Sequence, residues 1–230
     1  MTTAIARCVS DFAASLPAHA TVIDVGCGLQ PYRPLFSHTQ YIGIDVESSG
    51  RSEHQKSADR IFDGIHIPAE DASVDAILCT EVLEHAVDPV ALVGEMFRVI
   101  KPGGTVCITV PFMWGLHELP YDFRRFTPNG LATLFSAAGF AVDRQQNLTE
   151  GIDAIRMLVN SELNNYRVNV RPRQSSQEDW RFRLALYVHE RLMRVLERLW
   201  RRHFRFERIY IDNYLLAHKP MSDSLLADQP

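Results

Sequence analysis

No stretch of this 230-residue chain approaches the roughly 18 consecutive apolar residues that a membrane span requires. The opening residues, Met1-Thr2-Thr3-Ala4-Ile5-Ala6-Arg7, lack the basic-then-apolar plan of a secretory signal, so a cytoplasmic location is expected. The four cysteines, Cys8, Cys27, Cys79 and Cys107, include no Cys-x-x-Cys pair. Three of them fall in or beside apolar strand patterns, which makes them reduced, space-filling thiols and argues against zinc; no metal site is expected. Lysine is scarce, at Lys56, Lys101 and Lys219 only, and the net charge is −4. An acidic chain without an RNA-binding module is not expected to take nucleic acid as its partner. Internal repeats and low-complexity runs are missing too.

What is present begins at Val22-Ile23-Asp24-Val25-Gly26-Cys27-Gly28, where an apolar strand runs into a glycine turn. Seventeen residues after Gly28, a second apolar strand, Tyr41-Ile42-Gly43-Ile44-Asp45, ends on an acid. Glycines let the backbone approach a ligand closely, and an acid at the tip of the next strand can accept both hydroxyls of a ribose. A dinucleotide site prefers Gly-x-Gly-x-x-Gly, but the run Gly26-Cys27-Gly28-Leu29-Gln30-Pro31 lacks the third glycine. Asp24 would repel a pyrophosphate and suits an ammonium. S-adenosylmethionine (SAM) carries ribose, adenine, an ammonium and a sulfonium but no phosphate, so the local chemistry favours SAM over a nicotinamide dinucleotide.

The periodicity predicts an amphipathic helix over 3–15 and strands at 21–25, 41–45, about 60–62, 74–80 and 104–110. Asp88-Pro89 opens a helix that Lys101-Pro102-Gly103-Gly104 stops, and Thr127-Pro128 opens another that ends at Gly139. A strand follows at 140–148 and a last one at 209–218. Alternating strands and helices imply a parallel α/β sheet. The sixty residues between the last two strands are helical in pattern, with a helix over 152–168, a break at 169–177, and a longer helix to about 204 introduced by the capping box Ser175-x-x-Glu178. Its apolar stripe is Leu184, Val188, Leu192, Val195 and Leu199.

In five ordered blocks the chain resembles the class I SAM-dependent methyltransferases, close to the small "type 11" group. The blocks are VIDVGCG, YIGID, FDGIHIPAEDASVDAILCTEVLEHAVDP, KPGG, and VPFMWGLHELPYDFRRFTPNGL followed by AGF. The resemblance covers 21–148 and resumes at 209–219. It implies a Rossmann-like, seven-stranded, mostly parallel sheet with helices on both faces, and a helical insertion between the last two strands. The expected division is a SAM-binding domain of residues 1–148 and 209–219, an insertion of 149–208, and a frayed tail of 220–230. It also implies an enzyme that transfers a methyl group from SAM. Asp24 and the backbone of Gly26, Cys27 and Gly28 would face the methionine moiety, with Thr80 and Glu81 lining the same side. Asp45 would take the ribose hydroxyls, Val46 would pack on adenine, and Asp63, with Gly64 beside it, would lie near the adenine amino group.

Methyl transfer gains most from holding the acceptor at attack distance, and a hydroxyl acceptor also benefits from a base. Two histidines follow strands on the ligand edge of the sheet and are the candidate bases: His117, in the loop His117-Glu118-Leu119-Pro120-Tyr121-Asp122-Phe123-Arg124-Arg125-Phe126, and His85, in Glu81-Val82-Leu83-Glu84-His85. Tyr121, Arg124 and Arg125 are candidates for acceptor binding, with pairing of one arginine to Asp122 or Glu118 as the competing reading. Arg33 suits either the SAM carboxylate or the surface. The expected reaction is O-methylation of a small molecule or glycan; N-methylation and a silent SAM-binding scaffold are the alternatives. Arginines interleave with aromatics over 180–208. That surface suits an acceptor cover combined with a homodimer contact, ahead of a weak membrane-surface contact.

Overall fold

The computed structural model describes residues 3–47, 57–165, 176–200 and 209–221. The strands are β1 (Thr21–Val25), β2 (Gln40–Val46), β3 (Arg60–Phe62), β4 (Val74–Thr80), β5 (Ile100–Pro111), β6 (Ala141–Glu150) and β7 (Tyr210–His218). The helices are α1 (Thr3–Ser15), α2 (Pro89–Val99), α3 (Pro128–Ala137), α4 (Ile152–Asn165) and α5 (Ser176–Trp200), with a 3-10 turn at Arg33–Phe36.

One seven-stranded sheet has the order β3-β2-β1-β4-β5-β7-β6. The pairs β1–β2, β1–β4, β2–β3 and β4–β5 are parallel, and β7 runs antiparallel to β5. This is the Rossmann-like, mostly parallel architecture that the sequence implies. Strand side chains alternate between two cores. Ile23, Val25, Ile77 and Cys79 join α2 and α3 residues such as Met96 and Phe135 in one. Val22, Ala76, Leu78 and Cys107 join Val9, Phe12 and Phe36 in the other. A sheet covered on both faces explains why its central strands are apolar almost without interruption. All four cysteines are free thiols, three of them buried.

The helix starts are built as their sequences suggest. The Asp88 carboxylate accepts the Ala91 N–H at 3.0 Å, and Thr127 Oγ1 accepts the Gly130 N–H at 3.1 Å, each ahead of a first-turn proline. One boundary differs. The Lys101–Gly104 run, read as a helix stop before a strand at 104, lies inside β5, which starts at Ile100. The register shifts there, Ile100 pairing with Val74 and Thr105 with Ala76. Residues 101–104 form a bulge whose free backbone pairs elsewhere, with Gly103 N–H donating to Lys219 O at 2.7 Å and Lys219 N–H to Gly104 O at 2.9 Å. Pro102 has no N–H to offer, which a bulge tolerates.

The chain divides into two compact units. One holds the described residues to Phe112, Leu116–Leu148 and those from Asp212 onward; the other holds Met113–Gly115 and the described residues within Thr149–Ile211. In the second unit α4 packs on α5. The capping-box residue Ser175 and the expected helical residues 166–168 and 201–204 lie outside the described residues, and α5 already begins at Ser176, inside the expected 169–177 break. The apolar stripe of α5 also differs. Leu184, Val188, Leu192, Val195 and Leu199 are each at least half exposed, and the inward face is formed by Leu186, His189, Met193 and Leu196. The helix is apolar most of the way round, so counting every third and fourth residue picks out either stripe. Its arginines make local contacts: Arg194 pairs with Glu190 at 3.0 Å, and Arg191 lies 5.2 Å from the centre of the Tyr187 ring, as a cation on an aromatic face does.

Candidate active site

The strand order reverses at β1, between β2 and β4, and in open α/β sheets ligands bind beyond the carboxyl ends of strands at such a point. A cavity of about 820 Å³ lies there, within the usual range for a small-molecule site. It lies within the first unit. Gly26 from the end of β1, Asp45 and Val46 from β2, Asp63 and Gly64 after β3, and Glu81 after β4 line it, as do His85 and Tyr121. Eight of the residues singled out from the sequence therefore line one cavity.

The β1–β2 side is held by the backbone. Gly26 has φ +69°, and a Cβ added there would lie 2.4 Å from Val82 Cγ2. Only glycine lets the main chain turn against the cavity at this position. One oxygen of Asp45 accepts the Gly28 N–H at 2.9 Å and the other accepts the Val46 N–H at 2.7 Å. The carboxylate is thus fixed in orientation, and each oxygen keeps a second lone pair for a hydroxyl donor. Asp63 is exposed and accepts the Ile65 and His66 N–H groups at 2.8 and 2.7 Å and His66 Nδ1 at 2.6 Å. These bonds, the His66 side chain first, hold its carboxyl down at about 2. It shapes the loop as well as the wall.

Several residues stand elsewhere than the sequence suggests. Asp24, Cys27, Gly28 and Thr80 do not line this cavity. Asp24 is buried and accepts a short hydrogen bond from the Tyr41 hydroxyl. Burial pushes its carboxyl up to about 7 against the lowering effect of that hydroxyl, with the nearby Asp45 adding to the rise. Cys27 is buried with its thiol toward the Gly28 carbonyl at 3.9 Å. Arg33 pairs with Asp59 and lies over the Tyr41 ring. Arg124 donates to the carbonyls of Ala86 and Val87, while Arg125 makes a two-pronged pair with Asp122. Both guanidiniums bind the protein's own acceptors; the Arg125–Asp122 pair is the competing reading made from the sequence, whereas the carbonyl partners of Arg124 were not foreseen.

On the β4–β5 side the two candidate histidines meet. His85 Nε2 and His117 Nε2 are 3.1 Å apart, with the rings edge to face at 80°. His85 Nδ1 lies 2.9 Å from the Tyr121 carbonyl, which can only accept, so Nδ1 carries the proton. His117 Nδ1 lies 3.3 Å from Asp122 Oδ2, and the same carboxylate accepts the His117 N–H at 3.0 Å. Burial pushes the His85 imidazole below the ordinary histidine value, and the bond to Tyr121 offsets this only in part. Behind them sits Glu84, fully buried, with its Oε1 3.5 Å from His85 Nε2. Neither of its carboxylate oxygens accepts a hydrogen bond among the described residues. Burial, and then the Glu81 charge, push its carboxyl well above the usual range.

Glu84 was assigned no role from the sequence. Its signal was an acid directly before a candidate histidine and directly after Leu83, a residue with no exposure at all. The apolar wall formed by Phe62, Val82 and Ala86 was likewise unassigned, and Glu118 was named only as a possible arginine partner; loop residues and alternating strand ends give no period by which to find them.

Comparison with known proteins agrees with this geometry. A family model described as "Methyltransferase domain" matches residues 1–145, more than half of the chain. A probable S-adenosylmethionine-dependent methyltransferase of Mycolicibacterium smegmatis is 29% identical over 134 residues, which cover 53% of this chain and 52% of that one. A tRNA (carboxymethyluridine(34)-5-O)-methyltransferase of Arabidopsis thaliana is 30% identical over 107 residues, covering 44% and 26%. The chain spans about half or less of the length of the curated relatives it matches. Among solved structures, Haemonchus contortus phosphoethanolamine N-methyltransferase 2, solved with phosphomonomethylethanolamine and S-adenosylhomocysteine, shares the fold with a TM-score of 0.57 at 15% identity, over 94% of this chain and 52% of that one. The chain belongs to the methyltransferase-domain family, in the class I group whose cofactor is SAM. The cavity fits that cofactor: a side-chain-free turn at Gly26, an oriented carboxylate at Asp45 and an apolar wall at Val46 and Phe62.

Proposed function

We propose that this protein catalyses SAM-dependent O-methylation of a hydroxyl on a small molecule or sugar. When bound, SAM supplies an electrophilic methyl group on a sulfonium. Asp45 holds the ribose through its two oriented oxygens, and Gly26 gives the methionine portion its backbone approach. Val46 and Phe62 offer an apolar slot to adenine, with Asp63 and Gly64 at its edge. The acceptor enters at the other end of the cavity, against Glu81, His85, Glu118 and Tyr121.

The observation that carries the choice of oxygen is the imidazole pair. A neutral amine needs no help in losing its proton before attack, whereas a hydroxyl does. Two imidazoles whose Nδ1 atoms both face acceptors, and whose Nε2 atoms meet beside the cavity that His85 lines, form a group suited to activating a hydroxyl. The name of the Arabidopsis relative, an O-methyltransferase, is in keeping with this reading; that of the Haemonchus structure, an N-methyltransferase, is the reason to test it. The helical insertion is proposed to serve the acceptor or a second copy of the chain, supported by the half-exposed Leu184-to-Leu199 stripe of α5.

The test is methyl-labelled SAM offered with matched acceptor pairs, a phenol and aniline, a sugar and its amino sugar. Label on the hydroxyl partner and not on the amine is the expected result. Transfer to the amine alone would replace O-methylation with N-methylation.

A further inference from the structure

The Glu84–His85–His117 cluster has more donor atoms than a simple base needs. The Tyr121 carbonyl fixes the proton of His85 on Nδ1, and Asp122 faces His117 Nδ1. With its proton on Nδ1, His85 presents the Nε2 lone pair to His117 Nε2 across 3.1 Å. Either a proton carried by His117 Nε2 or a cation between the two nitrogens holds them at that distance. The buried carboxylate of Glu84 stands on the same side, 3.5 Å from His85 Nε2, and none of its oxygens accepts a hydrogen bond among the described residues. A buried carboxylate left in that state is costly without a positive partner.

We propose that Glu84, His85 and His117 bind a divalent transition-metal ion through one carboxylate oxygen and the two Nε2 atoms. One ligand atom from each residue lies within 4.8 Å of the other two. Imidazole nitrogens about 2.0–2.1 Å from a common ion stand roughly 2.8–3.4 Å apart between square and tetrahedral angles, a range that includes the 3.1 Å separation. A proton would bridge two of these donors and leave the third without a cation. The outer contacts also suit a metal, because ligating histidines give their other N–H to a carbonyl or carboxylate, as both do here. Two imidazoles and one carboxylate suit Mn²⁺, Co²⁺ or Zn²⁺ rather than Mg²⁺ or Ca²⁺, and three protein ligands leave positions for a small molecule.

The site borders the acceptor end of the cavity, since His85 lines it. The role assigned to the metal rests on the O-methylation reading; the binding does not. There the ion lowers the pKa of an acceptor hydroxyl whose oxygen it touches, and the proton passes to bulk water. The imidazole pair then activates the acceptor through the ion it holds.

The experiment uses the full chain, stripped with a chelator and titrated with Co²⁺ under visible absorption and calorimetry, alongside S-adenosylhomocysteine binding as a check of folding. One equivalent of Co²⁺ should bind, with d–d bands of a nitrogen and oxygen ligand set. His117→Ala and Glu84→Gln should each weaken it at least tenfold and leave S-adenosylhomocysteine binding within twofold. Absence of saturable Co²⁺ binding to protein that binds S-adenosylhomocysteine overturns the site, as does binding that neither substitution changes. Metal binding without S-adenosylhomocysteine binding would instead uphold the site and overturn the methyl-transfer reading.

Discussion

At the β1–β2 end of the cavity, Asp45 already accepts two backbone N–H groups, and Asp63 accepts two more and a histidine. At the β4–β5 end, Glu84 is buried with no hydrogen bond to its carboxylate, and two imidazole nitrogens face each other across 3.1 Å. The first end is satisfied by its own backbone and awaits a ligand that adds to it. The second contains a buried carboxyl, Glu84, that no group among the described residues satisfies. Under the proposed function, the cofactor is met by a prearranged main chain and the acceptor by side chains brought together from two loops.

If the two ends are separable, changes at one should leave the other intact. The largest effect should follow His117→Ala, with turnover falling about 10²-fold or more and SAM affinity unchanged within twofold, read by steady-state kinetics beside calorimetry. A parallel fall in SAM affinity would break the comparison. In the unaltered protein the activity needs neutral imidazoles. Because burial lowers the His85 value, the acid limb should lie below about pH 6.5, activity being lost as pH falls through it and flat above.

Gly26→Ala comes next. A Cβ placed 2.4 Å from Val82 at φ +69° adds backbone strain to overpacking, together about 2–4 kcal/mol of stability, measurable by urea unfolding. SAM binding should be lost with it. Asp45→Ala should be milder, weakening SAM about 10- to 100-fold through lost charge-assisted hydrogen bonds. Turnover at saturating SAM should persist, which separates cofactor holding from acceptor activation.

The smallest effect concerns Asp122, whose side chain is buried beneath Arg125 and His117. Its hydrogen bonds from Arg125, ahead of the His117 N–H, hold its carboxyl at about 2. A carboxyl held below its unfolded value stabilises the fold above that value, about 3.9, and the contribution disappears as pH falls through about 2. Asp122→Asn should therefore cost on the order of 1 kcal/mol at pH 7 and much less at pH 2, read by unfolding at both. Equal losses at the two pH values would mean that the carboxylate charge is not what matters.

The satisfied end was the legible one. Gly26, Asp45 and Asp63 sit at strand tips, and the apolar run before each strand fixes where that tip falls. The carboxyl edge of a parallel sheet then brings the tips together. Asp24, expected to face the methionine moiety, is buried and bonded to Tyr41 on the neighbouring strand, a partner that strand alternation alone does not name. Arg33 and Arg124 are long side chains whose partners, Asp59 and the Ala86 and Val87 carbonyls, are distant in sequence, and no local pattern names them, whereas Arg125 pairs with Asp122 three residues away. The meeting of His85 with His117, 32 residues apart, and the burial of Glu84 arise from how two loops pack. The same limit explains α5, where two apolar stripes share one period and packing alone chooses between them.

Titrating the folded chain with SAM in a calorimeter tests the central claim most directly. The account predicts saturable binding of one equivalent that Asp45→Ala weakens about 10- to 100-fold and His117→Ala leaves alone. A well-folded protein that gives no binding heat and no shift in melting temperature with SAM or S-adenosylhomocysteine would contradict it.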